Sequence, residues 1–275
     1  MGSSLAQPNN LPEPTYTPFR TPLPPLTPLE KGGLGEVSTT RVRGGQEVVV
    51  KQSLKADRAY IIEAEAGFTM AADGFPFFPR YVSSGETPEG KPFLMMEKIG
   101  GLNIYEVMER LGSIEIPKAI EITMSVLYGL SHLHDVELAH RDLKPQNIMI
   151  RWSGEPVIID LGWVGRFKHV SYAGTPHWRA PEAVAGGFVD GRSDIFSVGI
   201  LLVYMLTGRS VFQESGYEAD AVMFSNLPMI NALMADIPRD LSFVIYQMLE
   251  YYRADRYPSA TEAIEDLRAV QANLS

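Results

Sequence analysis

The hydrophobic period of this chain changes once, near residues 97–101, and that change limits what the chain can fold into. Before it, apolar residues fall in short β-branched runs. Glu36 to Thr40 and Gln46 to Lys51 flank Arg43-Gly44-Gly45, the pattern of a hairpin. Tyr81 to Ser84 and Pro92 to Glu97 read as two more strands around a Gly85–Gly90 turn. One helix is expected among them, over Ala56 to Ala72. After the change the period is helical. Pro117 stands in the first turn of a segment running to His134, in which Ile120, Met124, Leu127 and Leu130 share a face. From Asp194 onward almost every stretch is helical in period, and no internal repeat is visible. The expectation is an α+β chain of two lobes: a small β-rich lobe over about 26–97 and a larger, mainly helical lobe over about 101–275.

Residues 1–28 stand apart, with eight prolines. Proline fixes φ and removes a donor, so this stretch builds neither a helix nor a central strand. An extended arm is expected over residues 1–25. Within the 275 residues, Lys plus Arg is 24 and Asp plus Glu is 33, for a net charge of −9. Such a balance argues against a protein that wraps duplex nucleic acid or coats an anionic membrane. No cysteine is present, which excludes disulfides, thiolate metal sites and cysteine nucleophiles. The longest apolar run, Phe196 to Leu206, is about half the length of a membrane span and reads as a buried helix. No basic-then-apolar leader opens the chain, and a cytoplasmic location is expected. The oligomeric state is not legible.

Three motifs carry chemistry. The first is Gly32-Gly33-Leu34-Gly35-Glu36-Val37 between two expected strands, where glycines let backbone N–H groups approach phosphates. Its bland alternative is a simple turn. The second is Val48-Val49-Val50-Lys51: a lysine closing an apolar strand can pair with phosphate oxygens in a cleft if a carboxylate holds it. The next helix offers Glu63 and Glu65. Glu65 is the better placed, with Ile62 and Phe68 on its face, and Glu63 remains the alternative. The third is His140-Arg141-Asp142-Leu143-Lys144-Pro145-Gln146-Asn147, followed by Val157-Ile158-Ile159-Asp160-Leu161-Gly162. Asn147 and Asp160 are oxygen ligands suited to a hard cation such as Mg²⁺. Asp142 can accept a hydroxyl proton, and Lys144 supplies positive charge near a transferring phosphoryl group. The histidines show no zinc spacing and read as structural or surface residues.

Over roughly residues 26–270 the chain resembles the eukaryotic-type serine/threonine protein kinases. Val48 to Lys51 is similar to their Val-Ala-Ile-Lys strand and His140 to Asn147 to their catalytic loop. Asp160-Leu161-Gly162 stands for Asp-Phe-Gly, and Ala180-Pro181-Glu182 for Ala-Pro-Glu. Asp142-Leu143-Lys144-Pro145 and Gly174-Thr175-Pro176 resemble the serine/threonine branch. The resemblance implies a bilobal fold, ATP and Mg²⁺ as cofactors, and protein substrates, with no nucleic acid and no membrane span. It implies Asp142, Lys144, Lys51 and Glu65 as catalytic residues and Asn147 and Asp160 as metal ligands. Around the nucleotide it implies Leu29, Gly32, Gly33, Gly35, Val37, Val49, Lys51 and Met149. Met96 is implied as the gatekeeper, and Glu97 and Ile99 as backbone partners of the adenine edge. It further implies that Asp194 anchors a helix and that Arg256 partners Glu182. Phosphate on Ser171 or Tyr172 is expected to pair with Arg141. Two positions depart from the pattern: Glu30 stands where the glycine loop begins with glycine, and Leu161 replaces Phe. The alternatives are a pseudokinase-like ATP-binding scaffold and a small-molecule kinase. Retention of Lys51, Asp142, Asn147 and Asp160 together speaks against the first. The segment Gly174 to Glu182, a peptide platform in protein kinases, speaks against the second.

Overall fold

The β-branched runs do form strands. A computed structural model describes residues 22–31, 35–53, 58–167, 169–170, 174–209, 211 and 234–274. Two compact units emerge, one of Met1–Gly67 with Val82–Met96, the other of Phe68–Tyr81 with Glu97–Ser275.

The first unit is built on an antiparallel sheet of order β1-β2-β3-β5-β4. Its strands are β1 (Thr27–Lys31), β2 (Gly35–Arg41), β3 (Glu47–Ser53), β4 (Tyr81–Glu86) and β5 (Pro92–Glu97). The β2–β3 hairpin closes where expected. Gly44 and Gly45 take φ of +96° and +81°, which only glycine adopts cheaply, and the Gly45 N–H donates to Val42 O at 3.0 Å. Pro28 lies in edge strand β1, beside a break in register, where a missing N–H costs no ladder bond. Val48, Val50, Phe93 and Met95 form a small buried cluster. The end of the expected arm is docked on it: Leu23 and Leu26 pack against the cluster, and the Thr40 hydroxyl donates to Pro25 O at 2.8 Å. Residues 1–21 lie outside the described residues. Helix α1 (Ala59–Ala71) follows β3.

The second unit is mainly helical. Its described helices are α2 (Ile104–Leu111), α3 (Ile116–His134), α4 (Pro181–Val184), α5 (Gly191–Thr207), α6 (Arg239–Met248) and α7 (Ala260–Leu274). Pro117 sits in the first turn of α3, and Ile120, Leu127 and Leu130 face the core. The apolar run Phe196 to Met205 is the buried middle of α5, which Asp190 opens with a capping box and Gly208 ends in the left-handed conformation. Being apolar all round, α5 is packed all round, against α3 and α6 among others. Ala72, Phe78 and the partly buried Phe68 and Phe77 join this core, which is why Phe68–Tyr81 groups with the helices rather than with the sheet. Short strands line one side: β6 (Gly101–Asn103), β8 (Ile148–Arg151) and β9 (Pro156–Ile158) form one sheet. Strand β7 (Leu138–Ala139) pairs β10 (Gly165–Arg166), and β11 (His169–Val170) pairs β12 (Phe188–Val189). No helix among the described residues is long and apolar enough to cross a membrane.

Candidate active site

The loop from His140 to Asn147 is fixed from below by α5. Asp194, in its first turn and almost fully buried, accepts from the N–H groups of His140 at 2.8 Å and Arg141 at 2.9 Å, and from His134 Nε2 at 2.9 Å. Arg141 holds φ of +72°, a costly conformation for a side chain with a Cβ, and the bond to Asp194 offsets that cost. The Asp142 N–H donates to His140 Nδ1 at 3.3 Å, so the proton of this imidazole sits on Nε2. Burial pushes the His140 imidazole down, and the charges of Asp194, Asp142 and Asp160 only partly oppose this.

Asp142, the one carboxylate of the loop, is held from both oxygens. Its Oδ1 accepts from the Thr175 N–H at 2.7 Å and the Thr175 hydroxyl at 2.8 Å. Its Oδ2 accepts from Asn147 Nδ2 at 3.1 Å and lies 3.0 Å from Lys144 Nζ, which also donates to the Thr175 hydroxyl at 2.8 Å. Asn147 Nδ2 further donates to Asp142 O at 2.8 Å. With its NH₂ turned to Asp142, Asn147 keeps Oδ1 as an acceptor for something else. The β8–β9 hairpin explains why Asp160 is near. Ile148 pairs Ile158, so the residue before β8 and those after β9 share one end, and the Ile159 N–H donates to Asn147 O at 2.9 Å. Asp160 Oδ1 accepts from the Gly162 N–H at 3.0 Å, and Leu161 is buried as an apolar plug.

In the first unit, Lys51 Nζ is paired with Glu65 Oε1. Glu65 is 2% exposed whereas Glu63 faces solvent, which decides between the two acids. Gly35 faces the same strand; a Cβ there would lie 2.2 Å from Gln52 O, so only glycine fits. Val37 and Val49 are half-buried and Leu29 is exposed. Gly32 and Gly33 and the side chain of Glu30 lie outside the described residues. Met96 and Ile99 are buried, Met149 is half-buried, and the Glu97 N–H donates to Arg80 O at 2.8 Å.

A family model of the protein kinase domain matches residues 26–267. The chain belongs to the protein kinase family. Among its relatives is the serine/threonine-protein kinase PknL of Mycobacterium tuberculosis, 31% identical over 194 residues, or 67% of this chain and 48% of PknL. The serine/threonine-protein kinase PknB of Mycolicibacterium smegmatis is 30% identical over 257 residues, covering 86% of this chain and 41% of PknB. A probable serine/threonine-protein kinase of Corynebacterium efficiens is 27% identical over 267 residues, 88% of this chain and 40% of its own length. The chain thus spans less than half the length of these curated relatives.

Within this chain the pair implied far along the sequence also meets. Arg256 donates through both terminal nitrogens to Glu182, each at 2.8 Å. Thr175 holds Asp142 through two bonds, although in the sequence it reads only as a mark of the serine/threonine branch; its place between Gly174 and Pro176 is the available signal. The Arg141 guanidinium donates to Arg166 O and packs on Gly165, while Ser171 and Tyr172 lie outside the described residues.

Proposed function

We propose that this chain is a Mg²⁺-dependent serine/threonine protein kinase that moves the γ-phosphoryl group of ATP to a protein hydroxyl. The observation that carries the reading is the fourfold grip on Asp142 by Thr175, Asn147 and Lys144. A carboxylate so fixed is pre-oriented to receive a proton, which is what positioning catalysis requires.

In this reading the acceptor hydroxyl lies against Asp142. Its oxygen forms a bond to the γ-phosphorus as the bond from that phosphorus to the β–γ bridging oxygen breaks. The hydroxyl proton passes to the Asp142 carboxylate, and ADP leaves. Lys144 offsets charge on the transferring group, and its second bond to Thr175 keeps it in place. Lys51, braced by buried Glu65, orients the α and β phosphates. Met96, Val37, Val49, Leu29 and Met149 pack on the base, and Glu97 and Ile99 offer it backbone groups. The donor set of Asn147 Oδ1 and the Asp160 carboxylate fits a hard divalent cation, and these two residues would hold Mg²⁺. Bound there, the ion would neutralise phosphate charge.

The test is mass spectrometry of the chain and a mixed protein acceptor pool after incubation with Mg·ATP. New phosphoserine or phosphothreonine in the wild type, and its loss by orders of magnitude in Asp142→Asn with ATP affinity nearly unchanged, is the expected result. An Asp142→Asn variant retaining more than a tenth of wild-type turnover overturns the role.

A further inference from the structure

Glu97 ends β5 and opens the stretch Glu97–Ile99 whose backbone the proposed function gives to the adenine edge. Its carboxylate has work of its own. The Arg80 N–H donates to Glu97 Oε2 at 3.2 Å, returning the bond that the Glu97 N–H makes to Arg80 O. Arg151 closes on the same carboxylate as a fork, with one terminal nitrogen 2.7 Å from Oε1 and the other 3.2 Å from Oε2. The Arg80 guanidinium does not duplicate this fork: its Nε is 4.0 Å from Oε2 and its side chain is mostly exposed. Burial pushes the Glu97 carboxyl up, but the bonds from Arg151 and the Arg80 N–H, with the two positive charges, more than reverse this. The carboxylate is therefore ionised at neutral pH.

Arg151 is the last residue of β8, the strand that begins directly after Asn147 and contains Met149. Its backbone pairs Gly101, and the Trp152 N–H donates to Gly100 O at 3.0 Å. The stretch from Glu97 to Gly101 is thus tied at its start by Arg80 and the Arg151 fork, and at its end by the β8 backbone. A guanidinium fork on a carboxylate fixes orientation as well as distance, which an ammonium does not.

We infer that Arg151 is a positioning residue for the base: through Glu97 it sets the path of the backbone from Glu97 to Ile99, and so the affinity for adenine, without touching nucleotide or acceptor. This rests on the nucleotide reading given above. It requires that loss of the fork be felt at the adenine end and not at the phosphate end or in the transfer step.

The experiment uses the full chain, with adenosine binding by calorimetry, inhibition by Mg·tripolyphosphate, and steady-state kinetics in Mg·ATP. In Arg151→Met, which keeps the stem and loses the fork, KM for ATP and Kd for adenosine are expected to rise roughly tenfold, as misplacement by a fraction of an ångström would require. Turnover should stay within about twofold and tripolyphosphate inhibition should not move. Arg151→Lys should recover only part of the adenosine affinity. Unchanged adenosine affinity in Arg151→Met overturns the inference, as does an equal loss of adenosine and tripolyphosphate binding. If Arg151→Met does not fold, the same split in Arg151→Lys decides. A wild-type chain that binds neither adenosine nor Mg·ATP removes the nucleotide reading itself, and the inference falls with it.

Discussion

Asp142 shows how a residue is made ready by its neighbours. Three of its bonds come from beyond its own loop or from the loop's far end, and Thr175 alone supplies two, one from the backbone and one from the hydroxyl. Removing the hydroxyl leaves the backbone bond, so the carboxylate stays roughly in place but gains freedom, and Lys144 loses a partner. A hydrogen bond to a charged group is worth about 1.5–3 kcal/mol, which as transition-state positioning is about ten- to a hundredfold in rate. Thr175→Ala is accordingly expected to lower turnover by that factor with little change in ATP affinity, and Thr175→Ser to recover most of it. Equal turnover in Thr175→Ala and wild type, measured under saturating Mg·ATP, would show that the backbone bond suffices. Lys51, Asp142, Asn147 and Asp160 were legible as candidates because each sits in a run whose spacing has few other uses. The choice of Glu65 over Glu63 was only partly legible. Both lie on α1, and what separates them is which one is buried against Lys51, a property of packing rather than of spacing.

Helices and strands were legible where a single period or a single punctuating residue fixes them. The hairpin at Gly44-Gly45, the start of α3 at Pro117 and the burial of α5 follow from local rules. The docking of Leu23 and Leu26 on the sheet was not legible, because a proline-rich stretch reads as extended whether or not its leucines find a surface. The link between α4 and the stretch just before α7 is tertiary too, and it was legible only through the family resemblance, which pairs Arg256 with Glu182. Arg256, just before α7, has a fully buried side chain. It meets both oxygens of Glu182 in α4, donates to the carbonyls of Glu250, Tyr251 and Arg192, and stacks over Phe196 at 4.7 Å. Removing one partner of a buried pair leaves the other uncompensated and costs about 3–5 kcal/mol. Arg256→Ala is expected to lower the thermal midpoint by roughly 10 °C. Calorimetry that finds a fall of only a degree or two would mean that Glu182 can be rehydrated without loss.

At the scale of the whole molecule, the groups with shifted titration pull the same way on acid stability. His140 is held below its ordinary value of 6.5 by burial, in spite of the acids around it. Glu97 and Asp190 are each pushed up by burial, but their arginine partners more than reverse it, so both sit below their ordinary values of 4.5 and 3.8. A depressed group binds fewer protons folded than unfolded. Its stabilisation is therefore complete above the unfolded value and is lost as pH falls toward the folded one. For His140 the loss begins near pH 6.5, well before any carboxylate is affected, at up to about 1.4 kcal/mol per pH unit for one proton. Glu97 and Asp190 add to it only below about pH 4.5. The urea midpoint of the wild type is thus expected to be flat from about pH 8 to 7, to begin falling as pH drops below about 6.5, and to fall more steeply in stronger acid. His140→Asn is less stable at neutral pH because the Asp142 N–H loses its ring acceptor, yet its midpoint should be flat from pH 7 to 5. A wild-type midpoint that holds steady down to pH 5, or a slope in that interval that survives in His140→Asn, would show that His140 is not the group that charges on unfolding.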